Sequence, residues 1–311
     1  MKKNIDAMNH PTKVKESIGE RIYTIVVYLL LIVISATIIL PVLHIIRGSF
    51  SDPMQLLTGN VSFWPKGFTT SMYEKVLKDA SIWTGYLNTI LYTVLGTLIS
   101  VTLTACAAYP LSRKDLFGRN VFISLFIFTM YFQGGMVPLY LTVKELGLID
   151  TRLIIIILGS FAMYNVIIVR SYFASSLPEE LREASLIDGC GDLRYFVKIA
   201  LPLAKPIIAV VTLYILIAKW NEFTNAMIYL NKRKLYPLQL YLRELLLTFS
   251  SMAGSATGAM AADAETLERY HKLSQIIRYG FIVIASLPLL IAYPFVQKYF
   301  VQGVMIGSLK G

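Results

Sequence analysis

Charge is scarce in this chain of 311 residues: Asp, Glu, Lys and Arg together make up 15% of it, where soluble chains carry about a quarter. Hydrophobic residues make up 56%, and they come in long blocks. One water-soluble core cannot bury that much apolar surface, so the excess has to face lipid. Cysteine is almost absent. Cys106 lies in an apolar block and Cys190 in a polar segment, with no Cys-x-x-Cys, which excludes a disulfide scaffold and a dithiol redox motif. His10, His44 and His271 are scattered and form no His-Glu-x-x-His, which excludes the common zinc arrangements. No Gly-x-x-x-x-Gly-Lys-Ser/Thr run occurs, so the usual phosphate loop for ATP is missing. No nucleophile, carboxylate pair or metal cluster has the spacing a membrane enzyme needs.

What is present is apolar and periodic. Six stretches reach the roughly 20 residues that cross a bilayer: 22–46, 86–111, 121–141, 153–173, 207–230 and 279–298. No ten-residue alternation recurs, which argues against a barrel. The expected fold class is therefore all-α, a polytopic membrane protein with six transmembrane helices. Lys2, Lys3, Lys13, Lys15 and Arg21 precede the first block as they would in a signal peptide. That block is too long for one and no small-residue cleavage site comes after it, so a retained helix is expected. Pro41, Pro110, Pro138, Pro288 and Pro294 are expected to break or kink the spans. The net charge of +10 fits Lys and Arg flanking a membrane, since no Arg-rich arm or aromatic–basic strip points to nucleic acid. Lys and Arg divide almost evenly between the two sides, so charge alone gives little direction.

This reading divides the chain into a tail, 1–21, a first helix, 22–46, and an outer loop, 47–85. A core, 86–300, and a tail, 301–311, complete it. Within the core lie two long connections, 174–206 and 231–278. The second holds a soft stretch, 250–258 (Ser-Ser-Met-Ala-Gly-Ser-Ala-Thr-Gly), expected as a mobile tip or a plain connector.

Segment 176–206 carries the most information. It reads as two short helices joined by a turn. Ser176 and Glu179 have capping-box spacing, and Pro178 suits a first turn. Leu181, Ala184, Ser185 and Ile187 give a narrow small-and-apolar face. Asp188-Gly189 is a stop, with Gly189 free to take positive φ. A second amphipathic turn has Phe196, Ile199 and Leu201, and Pro202 and Pro206 frame the entry to the fifth span.

The segment resembles the signature loop of importer permeases, Glu-Ala-Ala, three residues, then Gly. Glu183, Ala184, Ser185 and Gly189 match, with Ser in place of the second Ala. Asp188 and the run Leu-Pro-Leu-Ala-Lys-Pro at 201–206 match the longer sugar-importer version; Cys190 stands where Ala is usual. Further similarity lies in Leu87-Asn88-Thr89, 107–113 (Ala-Ala-Tyr-Pro-Leu-Ser-Arg), Pro138-Leu139-Tyr140, 146–150 (Leu-Gly-Leu-Ile-Asp) and 300–311. The family is that of carbohydrate ABC importer permeases of the oligosaccharide class, of the maltose-permease G-type and lipoprotein-linked C-type. The segment 132–138 (Phe-Gln-Gly-Gly-Met-Val-Pro) leans toward the C-type.

The resemblance implies an importer-type permease fold, a carbohydrate cargo, a bacterial cytoplasmic membrane location and both termini inside. It implies a cytoplasmic loop whose Glu183, Ala184, Ser185, Asp188, Gly189, Phe196, Pro202 and Lys205 dock on an ATPase. Lys310 and Gly311 would reach the same ATPase. Partners implied are a second permease subunit, two ATPase subunits and an extracytoplasmic solute-binding protein. No cofactor is expected on this chain, with ATP and Mg used by the ATPase.

Polar groups inside spans mark candidate paths. The fifth span carries Tyr214, Lys219, Trp220, Asn221, Glu222 and Asn225. Asn221 and Asn225, one turn apart, are expected to share a face with Tyr214 and Glu222. Gln133 and Asn165 are further candidates, beside Tyr131 and Tyr164. A simple Lys219–Glu222 pair is the alternative reading of that cluster. At the level of function the alternative is an ion-coupled secondary transporter. It would need intramembrane carboxylates and two related halves; only Glu222 qualifies and no repeat is visible.

Overall fold

The computed structural model describes residues 17–52, 55, 64–258, 277–291, 293–294 and 297. It divides into two units, the residues up to Phe68 and those from Thr69 onward. Among the described residues every regular element is a helix.

Among its described residues the first unit is mainly α1 (Ile18–Ser49). Ser17 closes its start with a capping box: its hydroxyl accepts from Glu20 N–H at 3.2 Å, and its own N–H donates to the Glu20 carboxylate at 2.7 Å. Apolar side chains leave α1 in every direction and are almost all exposed, a pattern that lipid satisfies and water does not. Pro41 lies inside this helix without interrupting it.

The second unit holds α2 (Ser71–Leu77), α3 (Ala80–Ser112), α4 (Arg119–Tyr131), α5 (Met136–Glu145), α6 (Arg152–Ile157), α7 (Met163–Ser176) and α8 (Glu179–Ile187). After these come α9 (Asp192–Tyr195), α10 (Lys205–Trp220), α11 (Thr224–Tyr229), α12 (Leu238–Gly258) and α13 (Ile277–Ile291). The axis is α3, which packs mainly against α7 and α10. Its inner face is built of small residues: Gly85, Thr89, Thr93, Gly96, Thr97, Ser100, Thr104 and Ala108 are buried. Small side chains let helix backbones approach closely, which is how helices gain contact energy in lipid. At Gly85 an added Cβ would stand 3.1 Å from the Leu238 Cα. Its outer face, with Leu87, Val94 and Leu98, is exposed.

Two cores sit at the two ends of α3. Tyr109, Leu111, Val166, Val169, Phe173, Tyr195 and Val211 form one. Tyr92, Val143, Ile154, Ile155, Tyr229 and Leu235 form the other.

The expected spans are less regular than the apolar runs suggested. Among the described residues two helices are long and apolar enough to cross a membrane, α1 and α3. Two bent pairs could each serve as one more crossing: α4 with α5, at 108°, and Asp192–Leu203 with α10, at 79°. The stretch 121–141 breaks at 132–135, 153–173 at 158–162, and 207–230 at 221–223. Glycine makes the first two turns, with Gly135 at φ 89° and Gly159 at φ 69°. Proline does not do this work. Pro110 lies inside α3, in its last turn. Pro138 lies in the first turn of α5, where a missing N–H costs nothing because no carbonyl waits for it. The stretch 250–258, expected as a soft tip or connector, is the last part of α12. Lys310, Gly311, His10 and His271 lie outside the described residues.

Candidate functional site

The signature segment folds as two short helices, α8 and α9, joined by a turn. Ser176 is not the cap of α8; it ends α7, and Pro178 takes the cap position without a side-chain bond. The capping box fails because α7 runs on through Ser176 and leaves only Leu177 and Pro178 between the helices. The end of α8 is a Schellman motif. Gly189 N–H donates to the Leu186 carbonyl at 3.0 Å and Cys190 N–H to the Ser185 carbonyl at 2.9 Å, with Gly189 at φ 71°. Glu183, Ala184, Asp188 and Gly189 are exposed and Ser185 is buried. Ile187 is 88% and Leu193 77% exposed, so two large apolar side chains on this turn are largely uncovered among the described residues.

What holds the turn rigid is an ion-pair hub that spacing does not reveal. Arg182 lies 3.1 Å from Glu179, 3.2 Å from Asp115 and 3.5 Å from Asp192. Arg113 grips both carboxylate oxygens of Asp115, at 2.8 and 2.6 Å. The Arg113 hydrogen bond holds the Asp115 carboxyl below its ordinary range, with Arg182 adding to the effect. The hub therefore fastens the connection after α3 to α8 and α9. Beneath it, Tyr109 meets Phe173 edge-on at 5.7 Å and Phe196 at 5.0 Å, contacts worth about 0.5–1.5 kcal/mol each.

From Phe196 to Ala200 the chain makes a π turn. Pro202 lacks the N–H that would serve the Lys198 carbonyl four residues back, and a wider turn lets a later N–H serve instead. Phe196, Pro202 and Lys205 line an open groove of about 800 Å³ that runs along Cys106 of α3. Both cysteines are free.

A second constellation surrounds the break between α6 and α7. Lys219, on the last turn of α10, sends its ammonium to the carbonyls of Leu158 at 2.8 Å, Ile156 at 3.2 Å and Ile155 at 3.4 Å. These are the C-terminal carbonyls of α6, which have no helical partner. Gly96 makes the space: a Cβ there would stand 3.1 Å from the Lys219 Cε and 3.3 Å from the Ile156 oxygen. Glu222 is not paired with Lys219. It accepts from Asn225 N–H at 2.9 Å and from the Asn225 amide at 3.1 Å, capping α11.

Beside these groups lies a cavity of about 470 Å³ lined by Tyr164, Asn165, Tyr214, Lys219, Glu222 and Asn225. The structure thus brings Tyr214, Glu222, Asn225 and Asn165 together. Trp220 points away, buried, with its indole N–H on the Ala285 carbonyl at 3.0 Å. Asn221 caps α10 through Ile217 at 2.9 Å. The expected shared face of Asn221 and Asn225 is absent because the helix ends between them. Gln133 is exposed in the α4–α5 break.

At the opposite end of α3, a clasp joins the α5–α6 connection to residues 229–232. Asp150, at φ 58°, accepts from the backbone N–H groups of Asn231 and Lys232, and its own N–H donates to the Tyr229 carbonyl at 2.9 Å. The Asn231 N–H, then the Lys232 N–H, hold the Asp150 carboxyl below its ordinary range. Asn88 and Tyr92 of α3 donate to the carbonyls of Lys234, Tyr236 and Leu235 at 2.8–3.0 Å.

A family profile described as the binding-protein-dependent transport system inner membrane component matches residues 80–306. Protein LplC of Bacillus subtilis is 38% identical over 278 residues, 89% of this chain and 91% of LplC. The polygalacturonan/rhamnogalacturonan transport system permease protein YtcP of the same organism is 35% identical over 291 residues, 94% of this chain and 99% of YtcP. Among solved structures, a chain of a bacterial ABC transporter that imports the acidic polysaccharide alginate matches with a TM-score of 0.77. It is 34% identical, over 92% of this chain and 99% of that one.

This chain belongs to the family of binding-protein-dependent transport system inner membrane components. It is a permease subunit of an ABC importer, and ATP hydrolysis belongs to separate subunits. The family works as an assembly of permeases, ATPases and a binding protein. None of these likenesses supports an ion-coupled carrier.

Proposed function

We propose that the chain moves an oligosaccharide, of the acidic, uronic-acid-containing kind, through the membrane, and that residues 174–206 couple this movement to the ATPase. One observation carries the coupling reading: Ile187 and Leu193 are uncovered on a turn whose backbone is pinned by Arg182 and closed by Gly189. A pinned turn with an apolar tip can carry a push between rigid bodies, while an exposed acid such as Glu183 sets the register of the contact. Glu183, Ala184, Ser185, Asp188 and Gly189 would form the contact, with Phe196, Pro202 and Lys205 behind it. Lys310 and Gly311 would add a second contact, and ATP and Mg would stay on the ATPase.

The acidic cargo is supported by the substrates named for YtcP and for the alginate importer. The cavity of Tyr164, Asn165, Tyr214, Glu222 and Asn225 has the aromatic and amide groups that hold sugars, so it belongs to the proposed path. Both termini would lie in the cytoplasm, with six crossings and a second, different permease subunit across the pore. The test is reconstitution of the assembly in liposomes with a tritiated oligogalacturonide. Uptake should need ATP and be outcompeted by oligogalacturonide but not by raffinose. Ile187→Asp should abolish ATPase association; association at the wild-type level would sink the coupling reading.

A further inference from the structure

We propose that the pocket between the α3–α4 connection and α8 binds a phosphate group, of the kind an anionic phospholipid carries. The pocket has a volume of about 480 Å³ and lies where α3 ends, α4 begins and α8 leaves α7. Arg113, Lys114, Arg119 and Arg182 line it, against the carboxylates of Glu179 and Glu180.

These cations are not equivalent. Arg113 and Arg182 are spent on Asp115 and Glu179. Lys114 has no carboxylate partner among the described residues, and Arg119 uses its Nε on the Leu111 carbonyl at 3.1 Å. Its other N–H groups, with the Lys114 ammonium, remain for a ligand. A guanidinium offers parallel N–H groups to phosphate oxygens and an ammonium adds a point charge. Asp115 joins the acids, and Arg170 on the Leu111 carbonyl offsets Asp192 beside Arg182. The local balance is then one positive charge in excess, the match for a phosphodiester.

The surroundings favour a lipid as the source. Phe117, between the two cations, is 95% exposed. The helix that starts at Arg119 has no buried residue and presents Val121, Leu125 and Phe128 outward. Apolar surface therefore begins where the cations end, in the order of a phospholipid's headgroup and chains. Such a lipid would brace the same connection that the Arg182 hub ties to α8. The inference rests on the coupling segment lying at the cytoplasmic face, where anionic lipid is concentrated.

The test uses the full-length chain purified with its partner subunits. Native mass spectrometry measures binding of phosphatidylglycerol against phosphatidylcholine, with inorganic phosphate as competitor. Lys114→Gln with Arg119→Gln should lower the preference for phosphatidylglycerol about tenfold. Lys114→Gln alone, at an exposed site that leaves the fold intact, should lower it in part, and Lys114→Arg should keep it. Displacement by inorganic phosphate would assign the pocket to free phosphate; lipid binding that resists it would assign it to the headgroup. An unchanged preference in the double variant overturns the proposal. An Ile187→Asp complex that keeps the preference and still holds its ATPase at the wild-type level would refute the coupling reading and leave the pocket standing.

Discussion

Gly96→Ala places one methyl group against the stem of Lys219. In a free helix the change is favourable by about 1 kcal/mol, because alanine loses less backbone entropy than glycine. Here the sign should reverse. The new Cβ would meet the Lys219 Cε at 3.1 Å, its Cδ at 3.2 Å and the Ile156 oxygen at 3.3 Å. A flexible lysine could normally step aside, but this ammonium is held by the carbonyls of Ile155, Ile156 and Leu158. Hydrogen bonds from a charged group contribute about 1.5–3 kcal/mol each, and a carbonyl left bare in the interior loses its partner as well. Losing one such bond outweighs the helix gain, for a net cost of about 0.5–2 kcal/mol. For a body of this size that is a drop of roughly 1–8 °C in Tm. Thermal unfolding of the detergent-purified complex measures it. Lys219→Met frees the space, so the two changes should not add: Gly96→Ala should cost less in that background. A higher Tm for Gly96→Ala, or strict additivity with Lys219→Met, would refute the pinning of the α6 end by Lys219.

The remaining expectations concern the coupling turn and the packing. The Asp115 carboxyl has its folded pKa below the ordinary value near 3.8, so its contribution is full above that pH and is lost as pH falls through the lower, folded value. Limited proteolysis of the 113–118 connection should therefore stay constant from pH 7 to about 4 and rise below it, and Asp115→Asn should raise cleavage at every pH. Gly189→Ala forces a side chain into positive φ at a cost of about 1–2 kcal/mol; ATPase association should weaken while the yield of folded permease stays near wild type. Trp220→Ala empties a buried site and removes the bond to Ala285, which should cost about 3–5 kcal/mol. Its effect should appear as loss of folded protein in size-exclusion chromatography, with no change in sugar preference in what survives.

Much of the candidate site could be read locally. The α8 turn, its stop at Asp188-Gly189 and the inward set of Phe196, Ile199 and Leu201 follow from residues within one or two turns of each other. The Arg182 hub could not be read that way. Asp115 and Arg182 are 67 residues apart, and charged residues in connections look alike until the chain folds. The same holds for Asp150 with Asn231. The breaks at 132–135 and 158–162 were hidden because an apolar run states only that lipid or protein covers the residues, not that the helix is continuous. Glycines there look permissive, whereas Pro41 and Pro110, which looked disruptive, lie inside continuous helices, and Pro138 sits in a first turn where a missing N–H is tolerated.

Composition is enough to settle the solvent, since 56% apolar residues in long blocks cannot be buried by one soluble core. The pattern at 183–189 and 201–206 is local enough to carry a resemblance to sugar-importer permeases, and the family match over residues 80–306 is what shows it. Neither says which intramembrane polar groups face the cavity and which serve the fold; that is a matter of packing. Lys219 and Trp220 are neighbours in sequence, yet one pins carbonyls across a broken span and the other packs on α13. Their division of labour depends on helix rotation and on where each helix stops, which are set by contact with α3 and its neighbours.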